Sequence, residues 1–140
     1  MDYFYADVKI PARYFNGEVE KLLRNTVDEI EKHKDIVVGI IYKGRVVDIE
    51  KGLQELKVPY NMHCDVTDTP ALNKYYRPEN NFYKKVELYG TEEKSMIPVS
   101  VLRGIIQNNI NHQDVICAII TKCNEEDPEK IIKKLEEYNK

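Results

Sequence analysis

The residues best suited to chemistry lie in the run 73–89, which reads Asn-Lys-Tyr-Tyr-Arg-Pro-Glu-Asn-Asn-Phe-Tyr-Lys-Lys-Val-Glu-Leu-Tyr. Tyr75, Tyr76 and Phe82 offer flat rings for stacking. Arg77, Lys84 and Lys85 offer cations for phosphate, and Asn80 and Asn81 offer amides that can read a base edge. Arg13 and Arg45 join this set, because a guanidinium makes the planar two-point contact with phosphate that an ammonium cannot. Ring, amide and cation together suit a nucleotide-like anionic ligand. No fixed spacing defines the set. The competing expectation is a polar loop in which Phe82 and one tyrosine anchor to the core while the charges stay in water.

Two other groups could carry chemistry. His63-Cys64-Asp65 suggests a thiol nucleophile, but neighbours in a strand point to opposite faces, so His63 cannot activate Cys64 directly. A second base such as His112 would have to arrive by folding, and a small buried Cys64 is the expectation. His112, Cys117 and Cys123 lack the tight ligand pair of a zinc site. There is no phosphate-cradling glycine loop and no Gly-x-Ser-x-Gly elbow. The sequence therefore assigns no catalytic residue, no metal and no cofactor.

The chain as a whole bounds the partners. Its 140 residues suit one domain, read as 1–140, and 42% hydrophobic with 32% charged residues is a globular balance. A net charge of −3 argues against broad, nonspecific DNA binding. No run approaches a membrane span, and the acidic, aromatic start is unlike a secretory leader. Three cysteines without a framework spacing fit a reducing, cytoplasmic setting. The richness in Lys, Asn, Ile and Tyr is what AT-rich codons supply, which points to a low-GC bacterial or phage source.

The elements that must position these residues follow from periodicity. Alternation predicts a half-buried strand over residues 3–10, with Phe4, Ala6, Val8 and Ile10 on one side and Tyr3, Tyr5, Asp7 and Lys9 on the other. Val19, Leu22, Leu23, Val27 and Ile30 predict a helix that closes at Lys32-His33-Lys34. The β-branched stretch 36–42 reads as a strand covered on both faces. Lys43-Gly44 predicts a hairpin turn with residues 45–49 returning; the competing reading is a short helix through Leu53 that Gly52 weakens. Extended chain is expected over 58–66, a loop through the polar-aromatic stretch, a strand over 82–89 and another over 95–99. A helix carries Leu102, Ile105 and Ile106, broken by Asn108, Asn109 and Asn111. Residues 115–121 have both helical spacing and strand composition, and their place between two helices favours a strand. Asp127-Pro128 followed by Ile131, Ile132, Leu135 and Tyr138 predicts a terminal helix.

The expected fold is a single α+β domain, a mostly antiparallel mixed sheet of about five to seven strands packed by two to three helices. The expected function is a small cytosolic binding or regulatory protein that captures a nucleotide-like small molecule or a partner protein. Two alternatives come from other classes. One is a cysteine- or metal-dependent hydrolase built on Cys64. The other is a structural homo-oligomer whose interface uses the ten tyrosines.

Overall fold

The computed structural model describes residues 5–42, 46–65, 71–88, 90–91, 94–95, 99–108, 111–126 and 128–140. Six strands form one antiparallel sheet: β1 (Tyr5–Pro11), β2 (Glu29–Lys32), β3 (Ile36–Tyr42), β4 (Tyr60–Asp65), β5 (Ala71–Arg77) and β6 (Phe82–Leu88). Their order is β2-β3-β1-β4-β5-β6. Helix α1 (Gly17–Thr26) links β1 to β2, and α2 (Val47–Glu55) links β3 to β4. The first four strands and two helices thus run β-α-β-β-α-β, the split βαβ arrangement, with β5 and β6 added beyond β4. A small ladder, β7 (Gly90–Thr91) with β8 (Lys94–Ser95), and the helices α3 (Val99–Asn108) and α4 (His112–Glu126) follow. The fold class is α+β, with four α-helices among the described residues against the two or three expected.

Register sorts the side chains onto two faces. Val8 pairs with Gly39 and Met62, and Met62 pairs with Lys74, so these share the inner face. There Ala6, Val8, Ile10, Val37, Ile41, Tyr60, Met62, Cys64 and Tyr76 meet Val19 and Leu23 of α1 and Ile49 and Leu53 of α2 in one core. The glycines mark close approaches. A Cβ at Gly39 would sit 2.8 Å from a Val27 methyl, and one at Gly52 would sit 2.6 Å from Leu22 of α1. Gly52 therefore lets the two helices touch, which offsets its low helix propensity.

The outer face carries Asp7 and Lys9, Asn61 and His63, Asn73, Tyr75 and Arg77, with no α1 or α2 above it. Over one end lies the C-terminal segment, which has the form of two short 3-10 turns, Pro128–Lys130 and Leu135–Asn139. The expected terminal helix is thus absent, and the reason is tertiary. In an unbroken helix the Lys133 carbonyl would accept the Glu137 N–H; here it accepts Arg77 Nε at 2.7 Å, while the Glu137 N–H turns to the Lys134 carbonyl. Leu135 and Tyr138 are buried by this path and Ile131 stays 66% exposed. The Tyr138 hydroxyl donates to Glu79 at 2.6 Å, and the Asn139 side chain joins Arg13 N and Asp35 O.

Other expectations change for local reasons. The first helix stops at Thr26 because Asp28 is captured by β3: its N–H donates to Ile40 O and its carboxylate accepts Tyr42 N–H at 2.6 Å. Residues 47–49 belong to α2, not to a returning strand, since Ile49 and Leu53 bury at helical spacing. The turn residues 43–45 lie outside the described residues. Much of the expected loop in the polar-aromatic stretch is strand β5, and residues 115–121 are helical. Asn111 caps α4: its Oδ1 accepts Asp114 N–H at 2.9 Å and its amide donates to the Asp114 carboxylate. Of the strand expected over 95–99, Ser95 pairs with Gly90, Val99 opens α3, and residues 96–98 lie outside the described residues.

Two substitutions should separate the core from the strap. Leu23→Ala should cost about 2–5 kcal/mol of global stability in a urea melt. Arg77→Met strands buried carbonyl acceptors at about 1–3 kcal/mol each and should release the segment 128–140 first. Limited proteolysis should then cut that segment while the sheet survives; simultaneous loss of both would place the strap inside the cooperative core.

Candidate functional site on the open sheet face

The hairpin β5–β6 distributes the ring, amide and cation residues unevenly. Tyr76 points inward and packs against Tyr60, ring centroids 5.4 Å apart. Arg77 is only 2% exposed. Its Nη1 donates to Tyr60 O, Tyr76 O and Asn61 Oδ1, its Nε to Lys133 O, and its Nη2 is buried without a partner among the described residues. Burial pulls its pKa down from the ordinary value and the Glu129 charge opposes that pull. Asn80 and Asn81 form the hairpin turn with φ of 57° and 51°, the left-handed region asparagine tolerates. Tyr75 and Lys84 are register partners on the outer face, as are Arg77 and the half-buried Phe82. Lys85 is exposed on the other side, its ammonium 6.0 Å from the Tyr83 ring. Arg13 meets the strap at the Tyr138 carbonyl, and Arg45 lies outside the described residues. The structure thus brings Tyr75, Arg77, Phe82 and Lys84 onto one face and sends Tyr76 and Lys85 to the other.

The outer face gathers a second set that the sequence reading did not single out as a site. A hollow of about 180 Å³ opens over the middle of the sheet, lined by Asp7 and Lys9 from β1, Asn61 and His63 from β4, Asn73 and Tyr75 from β5, and Glu129 from the strap. Asp7 and His63 are cross-strand partners, as are His63 and Asn73. His63 Nδ1 lies 2.8 Å from Asn73 Oδ1, and Nε2 lies 3.0 Å from Asp65 Oδ1. The Asn73 amide nitrogen donates to the Tyr75 hydroxyl at 3.3 Å. Asn61, oriented by Arg77, donates its own amide to the Glu129 carboxylate.

Asp7 stands apart within this set. Burial raises its carboxyl pKa, opposed by Lys9, His63 and the nearby Tyr5 hydroxyl. It forms no ion pair among the described residues. The alternation of β1 already put Asp7 and Lys9 on the side away from the core. What sequence cannot show is the register that sets them beside His63 and Asn73.

A third polar cluster lies on the inner face. Glu50 of α2 accepts Lys74 Nζ at 3.0 Å, the Tyr60 hydroxyl at 2.9 Å and the Tyr83 hydroxyl at 3.1 Å. Lys74 is 3% exposed and Glu50 8%. The pair sits beside an open cleft of about 660 Å³ lined by Glu50, Lys51, Gln54, Glu55, Lys57 and Tyr83. Burial and Glu50 together raise the Tyr60 hydroxyl pKa. A lysine between Leu72 and Tyr76 on an inward face was the one sequence sign of this cluster.

Cys64 belongs to the core. Its thiol is pushed up to about 12, chiefly by burial, so little thiolate forms at neutral pH, and His63 projects to the opposite face. Cys117 is exposed on α4. Among the described residues, no three His, Cys, Asp or Glu side chains converge as metal ligands, and no helix is long and apolar enough to cross a membrane. Comparison with known protein families, with curated proteins and with solved structures finds no match to this chain.

Asp7→Asn should stabilise the ligand-free protein. The folded pKa of Asp7 is raised, so its contribution to stability falls as pH climbs through the carboxyl range and stays unfavourable at pH 7. The amide should raise Tm by about 2–4 °C for each kcal/mol recovered. It should also flatten the gain in stability that the wild type shows on mild acidification. An unchanged Tm and an unchanged pH profile would mean that Asp7 is adequately solvated.

Proposed function

We propose that this chain is a binding protein whose ligand is a small polar molecule bearing a cationic group, seated in the hollow between Asp7, His63 and Asn73. The observation that carries this reading is Asp7, a partly desolvated carboxylate held in a concave polar site without an ion-pair partner among the described residues. An ammonium would supply that partner. With His63 neutral, Asp7 and Glu129 outnumber Lys9 in the lining of the hollow, so its field then favours a cation over an anion. Size points the same way. About 180 Å³ is the liquid volume of roughly six waters. Ordinary ligand pockets run from about 300 Å³ upward, so an amine or amino acid suits the space and a whole nucleotide does not. The anionic version of the binding reading is less well served, since Nε and Nη1 of Arg77 are engaged with oxygens of the fold.

A partner protein is the second reading, and a separate observation favours it. No residue of α3 is buried; Val99 is 70% exposed and Ile106 55%, and Ile120 of α4 is 54% exposed. Apolar side chains bared on adjacent helices are a common mark of protein contact. The tyrosines supply little of this surface. Tyr60, Tyr75, Tyr76 and Tyr138 are buried, and of the described tyrosines only Tyr42 and Tyr83 are exposed.

Titration with methylammonium, ethanolamine and glycine, beside phosphate and adenosine monophosphate, tests the first reading by NMR shifts at Asp7, His63 and Asn73. The amines should bind, and Asp7→Asn should weaken them by about tenfold to a hundredfold, the worth of one charged hydrogen bond. Anion binding with the amines silent would overturn it. For the second reading, Ile106→Glu with Ile120→Glu should abolish any self-association seen by sedimentation without moving the amine shifts.

A further inference from the structure

We infer that the proton on His63 sets the direction of the hydrogen-bond chain Asp65–His63–Asn73–Tyr75, and with it the charge and the hydrogen-bonding edge that the hollow presents. The consequence for ligands rests on the amine-binding reading above; the chain itself is a property of the folded protein.

Both ring nitrogens of His63 face oxygens, Asn73 Oδ1 at 2.8 Å and Asp65 Oδ1 at 3.0 Å. The Asn73 amide is turned this way by its other end, which donates to the Tyr75 hydroxyl. A neutral imidazole carries one N–H and one lone pair, so two acceptor oxygens are satisfied together only by the doubly protonated ring. Loss of a proton to solvent leaves a lone pair against an oxygen. A carboxylate can only accept, so the proton facing Asp65 stays on Nε2 and Nδ1 is the nitrogen that loses its proton. The clash there is relieved when the Asn73 amide turns over about its own axis. Its nitrogen then donates to His63 Nδ1 and its oxygen accepts from the Tyr75 hydroxyl. No strand has to move.

The groups that face His63 come from every side of the hollow. Asp65 lies on its own strand, Asp7 and Lys9 on β1, Asn73 and Tyr75 on β5, and Glu129 on the strap. The charged ring sits across from Asp7 in register and competes with an ammonium for that carboxylate. Capture of an amine is therefore linked to departure of the His63 proton, and the linkage is reciprocal. Amine affinity should rise as the ring loses its proton.

The chain is tested in the ligand-free protein by side-chain NMR across the range where histidines titrate, about pH 5 to 8. Nδ1 should deprotonate while Nε2 keeps its proton, and the Asn73 side-chain amide should shift with the same midpoint. Asn73→Asp, which cannot turn over to donate, should move the ring's titration to higher pH; Asn73→Leu, which removes the acceptor, should move it lower. A neutral ring carrying its proton on Nδ1, or an Asn73 amide that stays still while His63 titrates, would overturn the inference. No ligand is present in this measurement, so its failure leaves amine binding standing, and silence of the amines in titration leaves the chain standing.

Discussion

The buried guanidinium of Arg77 is the contact on which the outer face depends. Its donors reach three backbone carbonyls and one side-chain amide, drawn from β4, β5 and the C-terminal strap. A charge so deeply desolvated is tolerable because Nε and Nη1 meet oxygens in the geometry arginine provides. The consequences spread outward. Holding Lys133 O breaks the terminal helix, which lets Leu135 and Tyr138 close over the sheet. Holding Asn61 Oδ1 turns that amide toward Glu129, which brings a carboxylate from the strap into the wall of the hollow. An arginine that looks like a ligand contact in the sequence is thus the part that builds one wall of the site.

The inner face solves the opposite problem. Apolar packing against α1 and α2 supplies its stability, and the Glu50–Lys74 pair is set into that packing with two tyrosine hydroxyls on the carboxylate. Pairs of this kind seldom add net stability over an apolar replacement, because both charges lose their water. Their geometry is demanding, however. Glu50 must meet β4, β5 and β6 at once, so the pair fixes how α2 sits across three strands. Register is the quantity at stake, since a slip of one residue would exchange Lys74 with Asn73 or Tyr75 and turn the hollow toward the core.

Legibility in the sequence followed the range of the forces involved. Alternation in β1, β4 and β6 is local, and the inward residues Val8, Ile10, Met62 and Cys64 were readable from it. The stretch 36–42 was readable because five consecutive buried positions leave one option. The terminal helix does not form because a contact 56 residues away captures a carbonyl that local spacing assigns to the helix. The strand assigned to 115–121 failed for a nearer reason: Asn111 with Asp114 is a helix start, and that capping pair outweighs the β-branched composition that follows. The hollow was least visible of all. Its residues come from β1, β4, β5 and the strap, and nothing in the order of the chain places Asp7 beside His63 or Glu129 beside Asn61.

The balance between faces also bears on what the hollow is for. A protein selected for stability alone gains nothing from a half-buried carboxylate at Asp7, and an asparagine or threonine would sit in the strand more comfortably. Local departures from the stable choice gather where function is carried out. Arg77 also departs from it, but its Nε and Nη1 are taken up by acceptors within the fold. Lys74 and Glu50 depart from it and neutralise each other. Asp7 is different: the groups around it, His63 and Lys9, are already turned to Asp65 and Asn73 or left at the rim without an ion pair to it among the described residues. A charge that the fold stabilises poorly, in the lining of a hollow the fold has built, is the arrangement expected when the missing counter-charge arrives from outside.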